Sequence, residues 1–196
     1  MRRLCFGGSF NPIHHGHLIC ARAAAEKAGF NEVILIPAAV PPHKTTSSEL
    51  AAASHRLEMC KLASSMESDL FFVDDIELAR GERSFTLETV RALKQRGWKE
   101  VFWLVGADML LDLPNWHRPQ ELVKEVNLVV VARPGWKIDW ASLPPLSQSL
   151  RQSVIEAPQV DIRATDIRRR VAHGQSIAYL TPQPVVEYIQ QQRLYV

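Results

Sequence analysis

The sequence predicts an α/β protein with a Rossmann-like fold, built on a doubly wound parallel sheet. Apolar runs of strand length alternate along the chain with segments that repeat apolar residues at helical spacing, as is typical of parallel sheets flanked by helices. Within EVILIP the residues VILIP form a continuous apolar run, as expected of a strand covered on both faces. The first run ends in a glycine-rich turn that leads directly into a helix, and such sheets bind ligands at turns of this kind.

The strands and helices can be assigned in chain order. The predicted strands are RLCFGG, EVILIP, LFFVDD, VFWLVGAD, NLVVVARPG and a candidate sixth, SVIEAPQVDI. The first predicted helix, HGHLICARAAAEKAG, ends on Gly29 as a C-terminal cap, and the second lies within ELAAASHRLEMCKLASSM. The third, SFTLETVRALKQRG, is expected to be capped by Ser84 and Gly97. We expect helices on both faces of the sheet and a C-terminal helical segment.

Composition limits the classes of protein that the chain can belong to. Its 196 residues, 46% of them hydrophobic, suit one domain over 1–196 with a sizeable core. A net charge of +2 gives no general electrostatic reason to expect a nucleic-acid or membrane partner. No signal peptide or membrane-spanning segment is predicted. Cys5, Cys20 and Cys60 each lie in an apolar stretch, and we interpret them as buried, reduced thiols of a cytoplasmic protein.

The turn GGSFNPIHHGHL (7–18) is the strongest candidate for a binding site. Gly7 and Gly8 allow a sharp turn and a close approach to a ligand, while Gly16 leaves the N–H groups at the start of the helix uncovered. Free N–H groups at a helix N-terminus bind phosphate readily. His14 and His17 lie three residues apart and can both face that space. The positive end of the helix dipole favours neutral imidazoles there, which donate hydrogen bonds to a phosphate.

Other interpretations of the turn exist. A single loop histidine is more often solvated or satisfied in the core than functional. A zinc site lacks an HExxH or CxxC pattern and an obvious fourth ligand. The chain also lacks the GxGxxG of dinucleotide-binding folds and the GxxxxGK[ST] of P-loops. The turn is therefore predicted to bind phosphate by another arrangement.

The turn resembles the GxFxPxHxGH signature of the nucleotidyltransferase superfamily, with His14 and His17 as the matching histidines. Further blocks follow in the order found in bacterial nicotinate-nucleotide adenylyltransferases. They are PAAVPPHK (37–44), HRLEMCKLA (55–63), ELARGERSFTLETV (77–90), GADMLLDLPNWH (106–117), ARPG (132–135) and IRATDIRRRVAHGQSIAYLTPQPVVEYIQQQRLY (162–195). The resemblance extends from residue 4 to residue 195, with Phe85 in place of the usual tyrosine and Arg163 in place of the usual serine.

This resemblance implies an enzyme that transfers the adenylyl group of ATP to nicotinate mononucleotide, giving nicotinate adenine dinucleotide and pyrophosphate in NAD biosynthesis. Mg²⁺ is expected to be bound mainly through the ATP phosphates, with no protein metal site. The implied catalytic residues are His14, His17 and Lys44. The implied ATP-binding residues are Gly7, Gly8, Ser9, Phe10, His14, His17, Gly106, Asp108, Thr165 and Arg168. The implied nicotinate mononucleotide-binding residues are His43, Lys44, Ser84, Phe85, Thr86, Trp116, His117 and Arg133.

Several of these residues have a plausible chemistry and a plausible structural alternative. Trp116 offers an indole face for a cationic pyridine ring, but it is otherwise a core residue, as we expect for Trp103. The resemblance implies that the backbone N–H groups of Thr86 and His117 hold the pyridine carboxylate. Asp108 can accept hydrogen bonds from a ribose hydroxyl or cap the helix that follows.

Each basic segment also has a functional and a structural interpretation. PPHK, which contains His43 and Lys44, is either a phosphate contact or an exposed loop. Thr165 is expected to be the N-cap of a helix whose Arg168 contacts the β- and γ-phosphates of ATP, while the neighbouring Arg169 and Arg170 form a solvated face. The departure at Arg163 either adds a phosphate contact or points to solvent.

Two rival functions stay open. The acceptor can instead be nicotinamide mononucleotide or phosphopantetheine, although phosphopantetheine enzymes lack blocks like LPNWH and RSFTLETV. A non-catalytic nucleotide sensor on the same fold is a second alternative. A nucleic-acid binder is disfavoured because the basic residues are dispersed. The sequence does not decide whether the chain is a monomer or a homo-oligomer.

Overall fold

The computed structural model describes residues 1–41, 50–132, 135, 138–158 and 160–196. Its centre is a six-stranded sheet in which all paired strands are parallel, in the order β3-β2-β1-β4-β5-β6. The strands are β1 (Arg3–Gly8), β2 (Glu32–Pro37), β3 (Phe71–Val73), β4 (Phe102–Gly106), β5 (Asn127–Ala132) and β6 (Val154–Glu156). This is the doubly wound order, and the predicted fold class is confirmed. Strand order reverses between β1 and β4, which makes their carboxyl ends the expected ligand-binding position.

In the part of the chain that the structure describes, six α-helices lie between strands, and two follow the last strand. They are α1 (His15–Ala28), α2 (Ala53–Ser64), α3 (Ile76–Arg80), α4 (Thr86–Gln95), α5 (Pro119–Glu125), α6 (Pro145–Gln148), α7 (Ala164–Ala172) and α8 (Gln183–Gln191). Gly29 ends α1 in the left-handed conformation, with φ of 68°, as predicted. Within the described residues, no helix combines the length and the apolar character that crossing a bilayer requires.

The sheet is covered on both faces because successive strand residues point in opposite directions. Along β2, Val33 and Leu35 face the core that includes α1, α2, α7 and α8. Ile34 and Ile36 face the other core, where α4 and α5 pack. Trp103 lies in this second core and is 3% exposed, as predicted. The continuous apolar strands thus reflect burial on both faces.

Two predicted helix caps are wrong. The helix predicted to start at Ser84 begins at Thr86, with Phe85 as its N-cap. Ser84 instead bonds across the chain: its Oγ accepts the Ala39 N–H at 2.8 Å, and its own N–H donates to the carbonyl of Val40 at 3.0 Å. Thr165 is not the N-cap of α7, because the extended backbone ends at Arg163 and the helix has already begun at Ala164.

The cysteine prediction is correct for two of the three thiols. Cys5 and Cys60 are free and buried, and burial raises the pKa of both. Cys20 is also a thiol but is only half-buried, because it lies on α1 beside a cavity. The apolar stretch around Cys20 predicted burial without showing that a cavity opens next to the helix.

Candidate active site

The turn after β1 brings the two predicted histidines together at the switch point of the sheet. His14 is the N-cap of α1 and is buried, with 5% of its surface exposed. His17 lies in the first turn of the helix. Their rings stack with centroids 3.6 Å apart and planes 22° apart. The rings of Phe6 and Phe10 pack edge-on against His17, at 5.8 and 5.2 Å.

One hydrogen bond fixes the proton of His17. The backbone N–H of His14 donates to Nδ1 of His17 at 3.2 Å. Because Nδ1 acts as the acceptor, the neutral ring carries its proton on Nε2. His17 therefore presents its Nε2–H as a donor, on the side of the ring opposite the Nδ1 that contacts the His14 backbone.

Both imidazoles are held in the neutral form. Burial, and then the neighbouring His15, lower the pKa of His14 from 6.5 to about 4. Burial, followed by the charge of His14, holds the pKa of His17 well below 6.5. The expected neutral state is therefore supported, with burial as its main cause. Neutral rings can donate hydrogen bonds without adding a fixed positive charge to the site.

The glycines of the turn have a different role from the predicted one. Gly7 and Gly8 belong to β1. A Cβ at Gly7 would lie 2.3 Å from the Trp103 ring, and one at Gly8 would lie 3.1 Å from the Phe10 ring. These glycines therefore make room for aromatic rings rather than forming a sharp turn. Phe10 takes the positive φ of the segment, 44°, and is 2% exposed.

A first cavity of about 800 Å³ lies at the carboxyl ends of β1, β4 and β5. Its lining includes His14, His17 and Gly16 from the turn and Gly106 and Asp108 from the end of β4. An added Cβ at Gly16 would come within 3.0 Å of the His14 ring. Gly16 therefore allows the histidine ring to lie across the start of α1.

A second cavity of about 560 Å³ lies beside the first, next to the start of α4. Most residues predicted to bind the pyridine nucleotide line it: Ser84, Phe85, Thr86, Trp116 and His117. Four residues predicted to bind ATP, Gly7, Gly8, Ser9 and Phe10, also line this cavity and are not among the described lining residues of the first.

The start of α4 gives this second cavity its chemistry. Thr86 is the first residue of the helix, and the first N–H groups of a helix have no intrahelical partner. The rings of Phe85 and His117 stack at 4.3 Å, and Nε2 of His117 lies 3.8 Å from a carboxylate oxygen of Glu88. The indole N–H of Trp116 is buried and finds no acceptor within the described part of the chain. The cavity thus combines aromatic faces with N–H donors.

The two cavities share one wall. Its residues are Phe6, His17, Leu104, Val105, Gly106 and Asp108. A Cβ at Gly106 would lie 2.3 Å from the Asp108 carboxylate, so this glycine lets the acidic side chain fold back over the end of β4. Asp108 is not a helix N-cap, because Gly106 occupies that position in the short 3₁₀ helix Ala107–Leu110. An exposed carboxylate at the shared wall is available to accept hydrogen bonds.

Other predicted residues lie elsewhere. Thr165 and Arg168 are on α7 and are among the described lining residues of neither cavity. Nη1 of Arg168 donates to the carbonyl of Asn11 at 3.0 Å. His43, Lys44 and Arg133 lie outside the described residues.

The basic residues around α7 face solvent. Arg169 pairs with Asp166 at 2.7 Å, and Nε of Arg170 donates to the carbonyl of Ser176 at 2.7 Å, both in exposed positions. The Arg163 side chain is 68% exposed and lies 3.3 Å from Asp161. These three arginines therefore form the solvated face that was predicted for Arg169 and Arg170, and Arg163 joins it.

Sequence reasoning missed Arg56, the largest fully buried side chain. Its guanidinium donates to the carbonyls of Ser9, Ala38, Ala39 and Ala51 at distances of 2.6 to 3.0 Å. It thus joins the loops that follow β1 and β2 to the start of α2. Its motif HRLEMCKLA was noticed, but a lone arginine in a helix gives no local sign that three segments converge on it.

Glu77 was also missed. It is 3% exposed and lines the second cavity, and its Oε1 accepts the hydroxyl of Thr89 at 2.6 Å. Burial raises the pKa of its carboxyl, against the opposing effect of hydrogen bonds from Ser84 and Thr89. The only sequence signal was its place in the block ELARGERSFTLETV.

Comparison with known proteins shows which family the chain belongs to. The cytidylyltransferase-like family model matches residues 5–170. A probable nicotinate-nucleotide adenylyltransferase of Exiguobacterium sibiricum is 40% identical over 190 residues, covering 96% of each chain. One of Rubrobacter xylanophilus is 40% identical, covering 100% of this chain and 92% of the relative. The chain belongs to the nicotinate-nucleotide adenylyltransferase family.

Solved structures agree with this family at the level of the fold. The nicotinic acid mononucleotide adenylyltransferase of Plasmodium falciparum, complexed with NaAD, has a TM-score of 0.78 at 20% identity. The match covers 100% of this chain and 98% of that one. The same protein complexed with APC gives a TM-score of 0.74 at 19% identity. The family membership makes the chain a nucleotidyltransferase, which argues against the rival sensor and nucleic-acid functions.

Proposed function

We propose that the chain transfers the adenylyl group of ATP to nicotinate mononucleotide, releasing pyrophosphate and forming nicotinate adenine dinucleotide. The observation that carries this proposal is the placement of His17 on the wall shared by two cavities. A reaction that joins two nucleotides through their phosphates needs its charge-stabilising donors at the point where two binding sites meet.

The first cavity is proposed to hold ATP and the second to hold nicotinate mononucleotide. The free N–H groups at the start of α4 suit the pyridine carboxylate, and the aromatic side chains of Phe85 and Trp116 suit the cationic pyridine ring. Ser84 is proposed to fix the loop beside the second cavity, because its hydroxyl accepts the N–H of Ala39 and its own N–H donates to the carbonyl of Val40. We propose Asp108 as the acceptor for a ribose hydroxyl. Gly7, Gly8, Ser9 and Phe10 are proposed to lie where the two phosphate groups approach each other.

The chemistry follows from these positions. A phosphate oxygen of nicotinate mononucleotide attacks the α-phosphorus of ATP in line, and the bond to the bridging oxygen of pyrophosphate breaks. No covalent enzyme intermediate is needed, because the attacking oxygen is already ionised. His14 and His17 donate hydrogen bonds to the phosphate as negative charge develops, and Lys44 and Arg168 are proposed to add positive charge. His43 and Arg133 are proposed to contact nicotinate mononucleotide.

Mg²⁺ is proposed as the metal of the reaction, carried by the ATP phosphates. Phosphate-bound Mg²⁺ keeps several waters and needs few protein ligands. Within the described residues, His, Cys, Asp and Glu form no cluster of three that would hold a metal ion. When bound, the ion neutralises charge on the phosphates.

We also propose that residues 1–196 act as one domain in the cytoplasm. The two cavities draw on residues from Phe6 to Ile162, so the site cannot be divided between separate units. All three cysteines are reduced thiols, as is usual in a reducing compartment.

An acceptor assay with a histidine variant tests the proposal. Pyrophosphate release from Mg-ATP is measured with nicotinate mononucleotide, nicotinamide mononucleotide or phosphopantetheine as the acceptor. We expect the highest kcat/KM with nicotinate mononucleotide, and we expect His17→Ala to lower kcat by about 10²- to 10³-fold. Arg170→Ala, on the solvated face, is the control. A wild-type preference for another acceptor, or an unchanged kcat in His17→Ala, would contradict the proposal.

A further inference from the structure

The C-terminal part of the chain surrounds the histidine turn at three points. The backbone N–H of His15 donates to the carbonyl of Leu180 at 3.0 Å. The Thr181 hydroxyl donates to the carbonyl of Ile13 at 2.7 Å, and the Tyr195 hydroxyl donates to Oδ1 of Asn11 at 2.8 Å. A segment more than 150 residues away in sequence therefore fixes the turn from outside. We call residues 180–195 the brace.

Thr181 contacts the turn directly beside His14. Its side chain is 1% exposed, and its hydroxyl bonds the carbonyl of the residue that precedes His14. A buried carbonyl that loses its donor is left unsatisfied, and the local backbone moves to find another partner. The Thr181 hydroxyl thus holds the backbone from which the His14 ring projects.

Tyr195 contacts the same turn at Asn11, two residues before Ile13. Oδ1 of Asn11 accepts both the Tyr195 hydroxyl and, at 3.0 Å, the backbone N–H of Ala51. The backbone carbonyl of Asn11 in turn accepts Nη1 of Arg168 at 3.0 Å. Asn11 is 3% exposed, so the Asn11 end of each of these bonds is buried. Burial raises the pKa of Tyr195, which keeps its hydroxyl protonated as a donor.

We propose that Thr181 and Tyr195 are positioning residues of the reaction. Thr181 orients His14 through Ile13, and Tyr195 orients Arg168 through Asn11. Neither side chain is among the described lining residues of the cavities, so both act through residues of the turn. This inference rests on the proposed function, because the residues that Thr181 and Tyr195 orient, His14 and Arg168, are there proposed to contact the ATP phosphates.

Two nearly isosteric variants test the proposal. Thr181→Val removes one hydroxyl and is expected to lower kcat about five- to tenfold, since a hydrogen bond of ordinary strength is lost beside His14. Tyr195→Phe is expected to raise KM for ATP by a similar factor and to leave KM for nicotinate mononucleotide within about twofold. Tyr179→Phe is the matched control, because Tyr179 shares a φ of 65° with Tyr195 but is 92% exposed.

A double-mutant cycle tests whether Tyr195 acts through Arg168. Tyr195→Phe is also measured in an Arg168→Ala background, where its effect on KM for ATP should largely disappear because the group it orients is gone. Urea unfolding of every variant confirms that the assays use folded protein. A merely structural role would lower the midpoint of unfolding and leave kcat and both KM values unchanged, and that result would overturn the inference.

The wild-type assay tests the proposed function separately. An inactive wild type would contradict both the proposed function and this inference. An active wild type with unaffected variants would overturn this inference alone.

Discussion

At the scale of single residues, the site depends on two histidines, of which His14 is buried and His17 is half-buried. Stacking at 3.6 Å leaves little room for two positive charges, and burial adds a larger penalty for either one. Each ring keeps an N–H to offer to a phosphate oxygen. A neutral donor gains strength as negative charge grows on that oxygen, so it favours the transition state over the bound substrate.

This burial predicts a pH dependence of stability. His14 has a pKa of about 4 when folded and 6.5 in its ordinary state, so the unfolded chain binds a proton that the folded chain rejects as the pH falls below 6.5. The free energy of unfolding should therefore decrease between pH 6.5 and about pH 4, with a slope approaching about 1.4 kcal/mol per pH unit for each buried histidine.

Urea unfolding of the wild type and His14→Asn at several pH values measures this slope. The variant should lose stability less steeply on acidification, because one of the two groups is missing. His173→Gln, which changes an exposed histidine, should keep the wild-type slope. Parallel curves for the wild type and His14→Asn would contradict the prediction.

At the scale of elements, the loops that follow β1 and β2 are held by a charged side chain inside the protein. Arg56 satisfies four carbonyls from three segments, and two of those segments supply cavity-lining residues, Ser9 and Ala38. Parallel strands end at the same edge of a sheet, so their loops present backbone carbonyls that face one another. A forked guanidinium with five N–H donors can bond several of them at once.

Arg56→Met should therefore destabilise the fold. Each buried carbonyl that loses its donor costs about 1–3 kcal/mol, so the loss in the free energy of unfolding should reach about 3 kcal/mol or more. Arg56→Lys should be intermediate because one ammonium cannot reach all four carbonyls. Urea unfolding measures the effect, and Lys61→Met, an exposed position on the same helix, is the control. A loss no larger than that of Lys61→Met would show that the four bonds contribute nothing.

Prediction from the sequence succeeded for elements defined by local patterns and failed for contacts between distant segments. The strands, the histidine turn and the cap at Gly29 were predictable because apolar runs and glycine positions act over a few residues. Ser84 was assigned wrongly because its hydroxyl bonds Ala39, a partner 45 residues away, rather than the helix beside it. Arg56 and the brace were missed for the same reason, since their partners come together only when the chain folds.

At the scale of the whole molecule, the topology explains why two cavities meet. The sheet reverses its strand order between β1 and β4, so the connections leaving these strands pass to opposite faces and open a crevice between them. The shared wall is built mainly from β1, β4 and the first turn of α1. Two ligands bound on either side of this wall lie close enough to be joined.

A dinucleotide that fills both cavities should accordingly bind more tightly than either half. Nicotinate adenine dinucleotide, the proposed product, should raise Tm more than AMP and nicotinate mononucleotide supplied together at the same concentration, because linking two ligands makes the second binding step intramolecular. Thermal unfolding with each ligand measures this. Trp116→Ala, which alters only the second cavity among the two, should reduce the shift caused by the dinucleotide and by nicotinate mononucleotide and leave the AMP shift unchanged. If the dinucleotide raised Tm no more than AMP does, the second cavity would not hold the pyridine half, and the division of the site between the two cavities would be wrong.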